Sequence, residues 1–145
     1  MFIDSDVYII EFFAHKDPRF ETNKRFFEKV ESGIKYTSIF NILEICGVGI
    51  FSAEKKKIER LFRTLHERED MEILYPKDNP VSVETFITNF ITQVFERILR
   101  KIHFSDALII NIAEKYSISP FITWNKKHFE GKTELKVVTP AEFLA

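Results

Sequence analysis

The sequence predicts an α/β domain built on a parallel sheet. Short β-like runs alternate with stretches whose apolar residues recur at helical spacing. The strands are separated by helices, which implies parallel pairing through right-handed crossovers. Only 4 of the 145 residues are Gly and 5 are Pro, which argues against an all-β fold rich in tight turns. The expected architecture is therefore helices covering both faces of one sheet, in a single domain spanning 1–145.

The elements follow in order. Met1-Phe2-Ile3 is an apolar strand closed by Asp4, and a helix carries Val7 to Phe13 before Asp17-Pro18. A second helix covers about 20–31 and stops at Ser32-Gly33, a C-terminal glycine signal. Residues 34–37 read as strand two. The next helix carries Ile39, Ile42, Leu43, Ile45 and Cys46, and another, about 54–69, places Ile58, Leu61, Phe62 and Leu65 at helical spacing. Residues 71–75 form strand three, ended by Pro76. A broad apolar stripe from Val83 to Leu99 predicts a long helix over about 81–101. Ser105 is the expected N-cap of a helix over about 106–116. Strand four lies at 121–123 and strand five at 135–138, and Thr139-Pro140 opens a final helical turn.

Composition narrows the function classes. Hydrophobic residues make up 45% of the chain and 16 are Phe, which excludes disorder and predicts a bulky aromatic core. The net charge is -1, so binding of a polyanion must come from a local patch or a bound cation. Cys46 is the single cysteine, which excludes an internal disulfide and a multi-cysteine zinc site and fits a reducing cytoplasm. No apolar run reaches the roughly eighteen residues of a membrane span. Asp4 and Asp6 argue against a signal peptide.

Four polar residues stand where they are costly. Asp4 ends strand one, Glu44 sits inside an apolar helix, Asp106 starts a helix, and Asn125 follows strand four. Each has a structural explanation. Asp4 and Asp6 suit helix caps, with capping favoured over catalysis for Asp6. Asp106 complements a helix dipole, Glu44 could turn to solvent, and Asn125 suits a turn. Together they suit hard cations, because Mg²⁺ and Mn²⁺ take oxygen ligands. In an α/β sheet they would converge beyond the C-terminal strand ends, at a reversal of strand order. A divalent ion there would neutralise charge building on a phosphate.

Four stretches carry a family resemblance: Phe2-Ile3-Asp4-Ser5-Asp6-Val7, residues 36–44 from Tyr36 to Glu44, residues 103–109 around Asp106, and residues 123–129 from Thr123 to Phe129. In this order and over nearly the whole chain they resemble the PIN-domain family of metal-dependent ribonucleases, which includes toxins of toxin–antitoxin pairs. The resemblance implies a three-layer α/β/α domain with about five parallel strands in order 3-2-1-4-5. It implies a Mg²⁺ or Mn²⁺ ion on Asp4, Glu44 and Asp106, with Asn125 where the family usually has Asp. The implied activity is endoribonucleolytic cleavage of RNA, with an antitoxin protein as partner; apart from the resemblance, the expected assembly is a homodimer. Lys126 and Lys127 flank Asn125 and, with Ser5 and Asp6, are candidates for meeting substrate.

Other features point less sharply. Lys55, Lys56, Lys57, Arg60 and Arg63 form a basic helix side diluted by Glu54, Glu59 and Glu67. Trp124 suits a core or supporting role over base stacking. The four histidines have no metal-ligand spacing. The stripe at 83–99 reads first as core, and as a self-association face if it is too wide to bury. Two other functions remain open: a PIN-like interaction module whose metal site Asn125 has weakened, and a haloacid-dehalogenase-type phosphatase with Asp4 as nucleophile.

Overall fold

A computed structural model describes residues 1–79 and 81–145. Five strands form one parallel sheet: β1 (Phe2–Ile3), β2 (Lys35–Ser38), β3 (Met71–Leu74), β4 (Phe121–Ile122) and β5 (Val137–Val138). Their order is β3-β2-β1-β4-β5. The intervening helices are α1 (Ser5–Phe13), α2 (Phe20–Lys29), α3 (Ile39–Gly49), α4 (Lys55–Glu67), α5 (Val83–Leu99), α6 (Phe104–Lys115), α7 (Lys126–Phe129) and α8 (Pro140–Leu144). The α/β class and the strand order agree with expectation.

Strand alternation divides the core between two faces. Phe2 and Phe121 point to one face, packed with Ile109, Ile110 and Ala113 of α6 and Val94 of α5. Ile3 and Ile122 point to the other, against Val7 of α1, Phe26 of α2, Ile42 and Ile45 of α3 and Leu65 of α4. Phe2 stacks on Phe121 with ring centroids 5.2 Å apart, and both rings are fully buried. Burial of such a side chain contributes about 1.5–3 kcal/mol. Gly49 permits the close approach of α3 to its neighbours, since a Cβ there would meet the Phe13 ring and stand 2.8 Å from Ile58 Cδ1.

Several local expectations shift. Helix α1 starts at Ser5, directly after Asp4, which occupies its N-cap and accepts from the Ser5 amide. Helix α6 starts at Phe104, so His103 takes the N-cap position and Ser105 lies within the first turn. The α7 turn was not anticipated; four residues are too few for a periodic signal. The α5 stripe splits: Val94 is buried, while Val83, Ile87, Ile91, Phe95 and Leu99 are exposed. Thr139 does open the last helix, through a capping box with Glu142.

The order places β1 centrally, between β2 and β4. The chain's crossovers run outward in opposite directions from β1, which makes the C-terminal ends of β1 and β4 the switch point of the sheet. Asp4 leaves one of those ends and Thr123 the other.

Candidate functional site

Asp4 is fixed from three sides. Its backbone amide donates to the Ile122 carbonyl at 2.9 Å, extending the β1–β4 pairing by one residue. Its Oδ1 accepts from the Ser5 amide at 2.8 Å, from the Ser5 hydroxyl at 3.3 Å and from Asn41 Nδ2 at 3.0 Å. Asn41 is itself held by Ser38, which ends β2. The Asn41 amide donates to Ser38 Oγ at 3.2 Å, and the Ser38 amide donates to Asn41 Oδ1 at 3.0 Å. That reciprocal cap starts α3 and aims the amide nitrogen of Asn41 at Asp4.

Glu44, one helical turn further along α3, is half-buried and accepts a hydrogen bond from the Ser5 hydroxyl. One hydroxyl proton thus faces two carboxylates, and Ser5 can donate to only one at a time. Asp4 and Glu44 are thereby brought to the same small group. Asp106, in the first turn of α6, stands near enough for its charge to act on Asp4.

The electrostatics of Asp4 are unfavourable to its charge. Burial pushes its carboxyl well above the usual range, and repulsion from Asp6 and then Asp106 adds to it; the Thr123 hydroxyl and the Ser5 amide pull the other way. No protein cation figures among these groups. Asp6 is pushed up to about 6 by burial, against the Thr123 hydroxyl, the Trp124 and Asn125 amides and the Arg19 charge.

Asp6 does not cap its own helix. Its Oδ2 accepts from Thr123 Oγ1 at 3.1 Å, from the Trp124 amide at 2.9 Å and from the Asn125 amide at 3.0 Å. It clamps the turn after β4 to the start of α1. Its other oxygen is buried without a partner among the described residues. Trp124 is secured as well: Nε1 donates to Asn23 Oδ1 at 2.9 Å, and the Arg19 guanidinium lies 5.7 Å from the ring centroid. This is the supporting role expected of it.

Asn125 reaches the site by its backbone. Its side chain is exposed, occupies the N-cap position of α7 and makes no capping hydrogen bond. Of the two lysines beside it, Lys126 is committed to Glu142 at 2.8 Å and to Glu130 at 3.4 Å. Lys127 is exposed and forms no ion pair among the described residues. Helix α7 also presents His128, whose Nδ1 lies 2.9 Å from Asp106 Oδ2.

Three contributing residues escaped sequence reasoning: Asn41, Thr123 and His128. The Ser38-to-Asn41 spacing is that of a capping box, and it was the available signal for Asn41. His128 lies three residues after Asn125, a helical spacing visible only once α7 is known.

The donor set suits a hard divalent cation in kind. It is all oxygen, partly buried, rich in like charge and, among the described residues, without a cation at Asp4. It is not a closed cage: among the described residues, no three acid, His or Cys side chains form a ready metal-binding group. No helix among them is long and apolar enough to cross a membrane.

Among known proteins, no family model matches the chain and no curated protein matches it. A solved toxin–antitoxin complex from Klebsiella pneumoniae contains a similar chain, with a TM-score of 0.62 and 22% identity over 97% of this chain and 98% of that one. At that identity the likeness is one of fold.

Proposed function

We propose that this protein is a PIN-type, Mg²⁺- or Mn²⁺-dependent endoribonuclease acting in the cytoplasm as the toxin of a toxin–antitoxin pair. The observation that carries this reading is Asp4: a buried carboxylate at the switch point, repelled by two others, sharing the Ser5 hydroxyl with Glu44 and without a cationic partner among the described residues. The toxin–antitoxin assembly of the structural neighbour supports the biological role.

Asp4, Glu44 and Asp106 would hold the ion. When bound, it neutralises charge on the scissile phosphate and makes water a stronger acid. Glu44 orients the attacking water, with Ser5 donating to Asp4 once Glu44 turns to that task. Asp6 keeps the turn 123–125 beside the acids, and Asn125 meets the phosphate or its water. An antitoxin that inserted a basic side chain among the acids would supply the cation that Asp4 lacks.

A homodimer through α5 fits the same reading. Ile87, Ile91, Phe95 and Ile98 form an exposed stripe, with Glu84 at its start and Lys101 just beyond its end. Antiparallel pairing of two copies covers the stripe and sets unlike charges together. Ile91→Glu should convert a dimer to a monomer in sedimentation; an unchanged mass would rule out this face.

The direct test is cleavage of RNA with Mn²⁺ or Mg²⁺ by the wild type and by Asp4→Asn and Asp106→Asn. Loss in both variants is expected, and full activity in both refutes the assignment. A second reading, a PIN-like interaction module, is favoured by the open acid cluster and by the exposed Asn125. Absence of Mn²⁺ binding at millimolar concentration in calorimetry would decide for it.

A further inference from the structure

A second concave site lies at the opposite end of the sheet from the acids. It is a cleft of about 320 Å³ between the C-terminal halves of α1 and α2 and the entrances to β2 and β3. Phe12 and Phe27 line it, with Tyr8 beneath them. Tyr8 is 1% exposed, and its buried hydroxyl has no hydrogen-bond partner among the described residues. Tyr8 lines the same cleft as Arg68 and Asp70, and burial raises the pKa of its phenol, so it is neutral. Leaving such a hydroxyl unpaired destabilises the fold. A guest that pairs with it recovers that cost.

The charges in the cleft indicate the guest. Lys35 is buried, and its ammonium donates to the Glu31 carbonyl at 3.1 Å, the Gly33 carbonyl at 3.0 Å and Asp70 Oδ2 at 2.9 Å, which uses all three donors. Arg68 grips the same Asp70 with two nitrogens, at 2.8 and 2.6 Å. Both cations are thus committed. The cleft's glutamates are not: Glu28 and Glu31 form no ion pair among the described residues, and Glu11 accepts only from Asn23 Nδ2 at 3.1 Å. Free acceptors at the rim, two aromatic faces and an unpaired phenol oxygen favour a flat cation with several N–H donors.

We propose that this cleft binds a guanidinium group, stacked against Phe12 and Phe27, hydrogen-bonded to Tyr8 and ion-paired with Glu28 and Glu31. Such a group comes either as a free small molecule or as an arginine side chain of a protein.

The test is calorimetric titration of the full chain with agmatine, with N-acetyl-arginine amide and with the uncharged N-acetyl-citrulline amide, alongside amide chemical-shift mapping. Saturable binding of a guanidinium probe is expected, with shifts confined to α1, α2 and the starts of β2 and β3, and with the citrulline compound at least about tenfold weaker. Tyr8→Phe should weaken binding by about threefold to tenfold, the range of one hydrogen bond. The double variant Glu28→Gln/Glu31→Gln alters only exposed carboxylates, keeps the fold and should weaken binding further. Binding of agmatine alone identifies a free small cation as the guest, and binding of the capped amide identifies an arginine side chain. The proposal is overturned if neither guanidinium probe saturates, if the citrulline compound binds equally well, or if the double glutamine variant retains full affinity.

Discussion

Asp106 Oδ2 and His128 Nδ1 stand 2.9 Å apart, joining the first turn of α6 to the short α7 helix. The contact fixes the orientation of one proposed metal ligand from outside the acid cluster, as outer hydrogen bonds do in metal sites generally. His128 is 42% exposed on its side chain, so replacing it removes little packing. His128→Ala should leave the melting temperature nearly unchanged and lower Mn²⁺ affinity or cleavage by about 10- to 100-fold. Equal metal affinity and equal rate in the variant would show that the imidazole does not position Asp106.

Asp4 should destabilise the fold when no divalent ion is present. Its pKa is raised on folding, so the stability it allows is full below the ordinary carboxylate range and is lost as pH rises through the folded value. Asp4→Asn keeps the shape and removes the ionisable carboxyl. In EDTA the variant should melt higher than wild type, by about 2–4 °C for each kcal/mol of repulsion relieved. Divalent ions should raise the melting point of the wild type alone. A lower melting point for the variant in EDTA would contradict a strained acid cluster.

The two lysines beside Asn125 should behave differently. Lys126 is committed to Glu142 and Glu130, whereas Lys127 has no ion pair among the described residues and is placed to meet a phosphate. Lys127→Gln should weaken RNA binding and reduce the slope of log affinity against log salt by about 1, and Lys126→Gln should do so less. Binding isotherms at several salt concentrations give the slopes, and equal slopes for both variants would discard the distinction.

Acid stability should depend on Asp70. Arg68 and then Lys35 hold its carboxyl well below the usual range, so its contribution is present above about pH 4 and disappears as pH falls further. Asp70→Asn leaves the ammonium of the buried Lys35 with carbonyl partners only. The expected loss at pH 7 is about 2 kcal/mol, less than for a fully enclosed pair because Asp70 is partly open to water. The difference from wild type should shrink toward pH 2, and urea unfolding at both pH values measures it. A difference that persists unchanged at pH 2 would mean that the ion pair is not its source.

The alternation of strands and helices was legible in the sequence because each long helix repeats its apolar residues every three or four positions. The periodic run from Val83 to Leu99 and the Thr139-Pro140 start are instances. Periodicity did not reveal strand order, which came from the resemblance of four motifs, nor α7, which is one turn long. It also could not say which part of α5 faces the core, since Ile91 and Val94 are alike in sequence and opposite in exposure.

By itself, the sequence determined that carboxylates occur beside apolar strands and helices, because residue type and local spacing are properties of the chain. Tertiary structure alone decided which of them meet. Asp4 and Glu44 share Ser5 because β1 and β2 lie side by side, and Asp6 holds the turn after β4 because β4 is the other neighbour of β1. Contacts between residues 39 to 119 positions apart are set by sheet pairing, and no local pattern encodes such a pairing.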